Sequence, residues 1–195
     1  KIDFDITVEI LTSLEHLKQI ASIAQKALKI QRRNAGLMKT KKAYVKYEPL
    51  GVAGVIAPWN YPLATPLTSS AEALIAGNNV ILKPSEHTPL TSKLLKKIWD
   101  NTIEYKNAFQ VVIGAADVGE SIVKNSDIDI VCFTGSTFVG KIIAKQCAET
   151  LKPCILELGG KDPMIVLNDA NIHRAVESAI FGGMSNAGQT CISTE

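Results

Sequence analysis

The chain has 195 residues, 46% of them hydrophobic and 21% charged, with a formal net charge of +2. At roughly 100–200 residues per domain that is one globular unit with at most an appendage, long enough to bury ~70% of the surface its unfolded chain exposes. The balanced charge gives no general affinity for nucleic acid or anionic membranes, and no apolar run reaches the ~20 residues needed to span a bilayer.

From the N-terminus, Ile10, Leu14, Leu17, Ala21, Ala24 and Leu28 recur at three- and four-residue steps, which predicts an amphipathic helix over 7–30 with these residues on its inner face. Residues 29–46 then hold seven basic and no acidic side chains. Without aromatic interleaving before Tyr44, a solvated connector is expected there rather than a nucleic-acid surface. After Tyr47 short apolar runs alternate with helical patterns. Strands are predicted over 51–57, 80–82, 109–113, 128–133, 154–158 and 164–167. Helices are predicted over 63–76, from Thr88 as cap with Leu90, Leu94, Leu95 and Ile98 inward, over 118–124, from Ser136 through Lys145, and over 172–184. This alternation predicts an α/β fold of the Rossmann-like kind, a mostly parallel sheet with helices on both faces.

In such sheets ligands bind beyond the carboxyl ends of strands, where helix N-termini offer free N–H groups. Gly135-Ser136-Thr137-Phe138-Val139-Gly140-Lys141 follows a strand and has the small residues that let a phosphate approach. It misses the P-loop because Ile142 replaces the required hydroxyl, and GxGxxG is absent from the chain. A phosphate site and a plain strand-to-helix turn both remain open. Lys83-Pro84-Ser85-Glu86 reads either as a grip on ribose hydroxyls or, by preference, as surface charge. In Pro58-Trp59-Asn60-Tyr61-Pro62 the prolines fix a loop that presents the Asn60 amide as an oxyanion donor or serves only as a rigid turn.

The four cysteines lack CxxC spacing and His16, His87 and His173 are scattered, so no metal site is expected and no disulfide framework. Cys132, Cys147 and Cys154 read as structural. Cys191, after the small polar run Asn186-Ala187-Gly188-Gln189-Thr190, is the best nucleophile candidate, an idle thiol being the alternative. Glu157, at a strand end before Gly159-Gly160, is expected to be partly desolvated and so suited to general-base work, unless it serves as a cap or ion-pair partner.

Together PWNYP (58–62), KPSE (83–86), GSTFVG (135–140), LELGGKDP (156–163) and NAGQTC (186–191) resemble the aldehyde dehydrogenase superfamily, in the family's order. The run EPLGVAGVIAPWNYP looks nearest to the branch with fatty and aryl aldehyde dehydrogenases. The resemblance implies Cys191 as nucleophile, Glu157 as base, and Asn60 with the Cys191 N–H as oxyanion hole. It implies an NAD site, with NADP not excluded. Lys83 and Glu86 would meet the adenosine ribose, Gly135, Ser136 and Gly140 the pyrophosphate, and Ile56, Trp59, Gly114 and Leu158 the cleft. It further implies a small aldehyde substrate and a homo-oligomer at full length, while the balanced charge and the lack of a signal peptide or membrane-length apolar run in view give the expectation of no nucleic-acid partner and a cytoplasmic location.

Residues 1–47 are then expected to form an N-terminal helix and basic connector, 48–188 the NAD-binding domain, and 189–195 the start of a catalytic domain. Family members are more than twice this long, and Met184 stands where they usually carry an aromatic. An alternative is therefore a nucleotide-binding remnant without turnover, with Cys191 expected at a frayed terminus.

Overall fold

A computed structural model describes residues 3–194. Five parallel strands form its centre: β3 (Val52–Ile56), β4 (Asn79–Lys83), β5 (Phe109–Val111), β6 (Ile130–Thr134) and β7 (Cys154–Glu157), in the order β5-β4-β3-β6-β7. Helices α2 (Ala64–Ile75) and α3 (Pro89–Thr102) cover one face, and α4 (Ala116–Lys124) and α5 (Thr137–Glu149) the other. A Rossmann-like α/β sheet is the fold that the alternating pattern predicts.

The strand alternation divides the core in two. Ala53, Val55, Val80, Leu82 and Phe109 pack toward Leu74, Leu95 and Trp99 of α2 and α3. Ile56, Val131 and Phe133 pack toward Ile122, Val123, Ile143 and Cys147 of α4 and α5. Gly54 lets α4 approach β3 this closely, since a Cβ there would lie 2.5 Å from Ile122 Cγ2.

Several expected boundaries move. Segment 164–167 forms no strand; Ile165 and Leu167 are exposed, and beside them stands only the isolated bridge Asp162–Thr194. Apolar content alone does not make a strand without a neighbour to pair with. The basic run, expected as a solvated connector, is mostly exposed and contains an antiparallel hairpin, β1 (Gln31–Arg33) with β2 (Ala43–Val45), that the pattern did not predict. Thr88 makes no capping hydrogen bond; Pro89 starts α3 with its preset φ instead. On α3 the inward residues are Ser92, Leu95 and Trp99, while Leu90, Leu94 and Ile98 are exposed.

The inner face of α1 (Asp3–Ala27) is also displaced. Ile10 and Leu14 are exposed, whereas Glu9 and Ser13 are buried, Glu9 being 5% accessible. The reason is a polar contact that hydrophobic periodicity does not register. Glu9 Oε1 accepts from the N–H groups of Leu63 (2.8 Å) and Ala64 (3.0 Å), at the start of α2, where Leu63 offers no side-chain cap. One helix thus caps the next. Glu9→Ala leaves these amides without that acceptor and is expected to lower stability by about 1–2 kcal/mol, with Glu9→Gln recovering most of it. Urea unfolding followed by circular dichroism measures the difference.

Candidate active site

Because all five strands run the same way, their carboxyl ends share one edge. The register aligns Ile56 with Phe133 and Phe133 with Leu156, and then Thr134 with Glu157. The loops after β3, β6 and β7 therefore emerge side by side. The chain leaves β3 toward β4 on one side and returns to β6 on the other, which opens a crevice between β3 and β6 at this edge.

A cleft of 320 Å³ occupies this crevice, and Asn60, Glu157 and Cys191 all line it. Trp59, Gly135, Ser136 and Leu158 line it too. Ile56, Lys83, Glu86, Gly114 and Gly140 do not. Ile56 lies in the core beneath, and Gly140 is buried one turn inside α5, where a Cβ would come within 2.5 Å of Leu158 Cδ2. Gly114 follows β5, with Val118 filling its Cβ position. These two glycines have a packing requirement of their own, whatever else they do.

The Asn60 amide is oriented at both ends. Its Oδ1 accepts from the Tyr61 N–H (3.0 Å), and its Nδ2 donates to the Gln189 carbonyl (2.8 Å). One amide hydrogen remains beyond that bond. Gln189 is two residues from Cys191, so the same contact ties the asparagine loop to the cysteine loop. Tyr61 Oη and Thr190 Oγ1 (2.8 Å) and Asn186 Nδ2 to the Asn60 carbonyl (3.2 Å) strengthen the tie.

The cysteine loop is held, not frayed. Asn186, Ala187 and Gly188 all adopt left-handed φ, of 53°, 57° and 73°. Asparagine and glycine tolerate this, but alanine pays roughly 1–2 kcal/mol. The turn brings Cys191 back to the sheet edge, where its carbonyl accepts from the Gly160 N–H at 3.2 Å. A Cβ on Gly160 would come within 2.8 Å of that oxygen. Beyond it, the Thr194 N–H donates to the Gly182 carbonyl (3.0 Å). The expectation of a loose Cys191 fails because backbone bonds from two other segments fasten this stretch.

Cys191 is exposed, whereas burial pushes the thiols of Cys132 and Cys147 up and leaves them protonated. Glu157 is exposed as well, not partly desolvated as expected, because β7 is an edge strand with a neighbour on one side only. Lys83 departs from its surface reading in the opposite direction. It is 5% accessible, and its Nζ donates to the Pro84 carbonyl (3.1 Å) and lies 3.5 Å from Glu86 Oε2. Glu86 is exposed. A backbone N–H bond, and then the Lys83 ammonium, hold its carboxyl below the ordinary value.

This donor set suits a dinucleotide. An ionised carboxylate beside an ammonium can accept and donate to ribose hydroxyls. Ser136 caps α5, its Oγ accepting from the Val139 N–H (3.3 Å), so the positive end of a 13-residue helix opens at the crevice and suits a pyrophosphate. Sequence reasoning missed the bracing contacts of Tyr61, Asn186 and Gly160. Asn-Ala-Gly before the cysteine was the available signal, since it marks a left-handed turn.

The aldehyde dehydrogenase family profile matches residues 2–195. A probable coniferyl aldehyde dehydrogenase of Pseudomonas aeruginosa is 42% identical over 194 residues, 99% of this chain and 40% of that protein. An aldehyde dehydrogenase of Mycobacterium tuberculosis complexed with NAD+ aligns with a TM-score of 0.88 at 36% identity, over 93% of this chain and 37% of that one. An NADP-dependent enzyme of E. coli aligns at 0.90 and 33% identity, over 97% and 39%. The chain thus spans about 40% of the length of the curated relative it matches.

Proposed function

The chain belongs to the aldehyde dehydrogenase family, and we propose that it is the part of an aldehyde-oxidising enzyme that binds the nicotinamide cofactor, NAD in preference to NADP, and carries the catalytic cysteine. The observation that carries this reading is the single cleft lined by Asn60, Glu157 and Cys191. Residues 48–188 serve as the cofactor-binding domain, and 189–195 begin the catalytic one.

Cys191 attacks the aldehyde carbon as a thiolate, its proton passing to Glu157 directly or through water. The carbonyl oxygen becomes an oxyanion, stabilised by the remaining Asn60 amide hydrogen and the Cys191 backbone N–H. Bound NAD supplies the hydride acceptor that turns this adduct into a thioester. Glu157, its first proton released to bulk water, then takes a proton from the water that adds to the thioester carbonyl, and the acid leaves as the cysteine sulfur departs as thiolate. Lys83 and Glu86 hold the ribose; Ser136 and the first turn of α5 hold the pyrophosphate.

An ionised Glu86 repels a 2′-phosphate, which supports NAD over NADP. Glu86→Gln removes that charge and is expected to raise the NADP-to-NAD ratio of kcat/KM about tenfold, some 1.4 kcal/mol. Initial rates of reduced-cofactor formation by the full-length protein with an aryl aldehyde test both points. No reduction of either cofactor would remove the proposal, and an unchanged ratio would remove the role of Glu86.

A further inference from the structure

The loop after β3 and the loop before Cys191 meet through a pair of hydroxyls. Tyr61 Oη and Thr190 Oγ1 lie 2.8 Å apart across 129 positions of sequence, and both residues are half-buried at the cleft. Tyr61 is joined to the asparagine as well, since its N–H donates to Asn60 Oδ1 at 3.0 Å. Thr190 is joined to the cysteine by the chain itself. A bond between these two side chains therefore sets the spacing between the Asn60 amide and Cys191.

The direction of that bond follows from its next neighbour. Thr190 Oγ1 also lies 3.4 Å from the Ser185 carbonyl, which can only accept. The threonine's hydroxyl hydrogen goes to that carbonyl, and the tyrosine's goes to Thr190. Ser185 to Thr190 is the step across the left-handed turn at Asn186, Ala187 and Gly188. The Thr190 hydroxyl thus bridges the turn, and Tyr61 holds that hydroxyl from the other loop. With both hydrogens committed inside the protein, neither side chain has one to offer a substrate oxygen. Their contribution to the reaction is placement.

Resting on the aldehyde-oxidising reading proposed above, we infer that Tyr61 and Thr190 are a coupled pair of positioning residues for oxyanion formation. An oxyanion donor acts only when it meets the oxygen at about 2.7–3.1 Å, and a displacement near 1 Å can cost about a hundredfold in rate. The bonds from Asn60 Nδ2 to Gln189 and from Asn186 Nδ2 to Asn60 keep the two loops together when the hydroxyl bond is lost. The expected loss is therefore smaller, about tenfold, the scale of one hydrogen bond.

The test is a double-mutant cycle in the full-length protein with cinnamaldehyde and NAD, read as the single-turnover rate of NADH formation. Tyr61→Phe and Thr190→Val are each expected to lower that rate about tenfold, with KM and NAD affinity changing less than about twofold. The double variant should be as slow as either single one, about tenfold rather than about a hundredfold, because all three lack the same bond. Thr190→Ser keeps a hydroxyl and is expected to stay within about threefold of wild type. Alkylation of Cys191 by iodoacetamide builds no oxyanion and should proceed at the wild-type rate in every variant. Wild-type oxidation in the single variants, losses that multiply in the double variant, Thr190→Ser as slow as Thr190→Val, or alkylation slowed in step with oxidation would each overturn the coupled pair and leave the dehydrogenase reading intact. No NADH from the wild-type protein would overturn both.

Discussion

Cys191→Ser is expected to abolish aldehyde oxidation, with kcat falling about 10⁴–10⁶-fold, the scale seen when a covalent nucleophile is lost. The serine hydroxyl is isosteric enough to keep the loop, but at neutral pH it supplies almost no anion. The loop's own bonds run through backbone and neighbouring side chains, from Gly160 to the Cys191 carbonyl and from Asn60 to the Gln189 carbonyl, and none uses the thiol. Cofactor binding should therefore survive the substitution. Cys147→Ala is the matching control. Its thiol is buried in the core shared by α4 and α5, lines no cavity at Cys191 and is pushed up by burial, so turnover should persist in that variant. Steady-state rates together with a cofactor-binding titration separate lost chemistry from lost folding.

Glu157→Gln carries the second largest effect, a loss of about 10²–10⁴-fold in turnover, the usual contribution of a positioned general base. Glutamine keeps the shape and the Thr134–Glu157 register position at the end of β7 but cannot take a proton. If Glu157 activates water, the variant should form one equivalent of NADH rapidly and then stall as the thioester. If Glu157 acts mainly on the thiol, the first turnover itself should slow, most clearly on the acid side. Stopped-flow traces across pH distinguish the two, and wild-type kinetics at every pH would remove the carboxylate from the mechanism.

The parallel sheet was legible because buried strands such as Val52–Ile56 and Asn79–Lys83 are apolar runs bounded by Gly, Pro and Asn, and because Ile172–Met184 has clean helical periodicity. The site motifs were legible as residues but not as an assembly. Nothing in the spacing joins Asn60 to Gln189 or Gly160 to Cys191, since those bonds span long separations and run through backbone atoms. Burial misled where polar atoms decide the packing. Glu9 turns α1 by capping α2, and Lys83 is buried while its ammonium still reaches Pro84 and Glu86. Periodicity scores side chains one at a time, whereas these two are buried by the partners their heads find. Segment 164–167 shows the converse, since Ile165 and Leu167 are apolar but stay exposed and pair with no strand among the described residues.

The most direct test of the central claim is peptide mass spectrometry of the full-length Glu157→Gln protein after incubation with cinnamaldehyde and NAD, followed by acid quenching. The account predicts an acyl group, the aldehyde less one hydrogen, on the peptide containing Cys191, dependent on NAD and absent from the Cys191→Ser, Glu157→Gln double variant. An acyl group on Cys132, Cys147 or Cys154 instead, or turnover with no adduct on any cysteine, would contradict it.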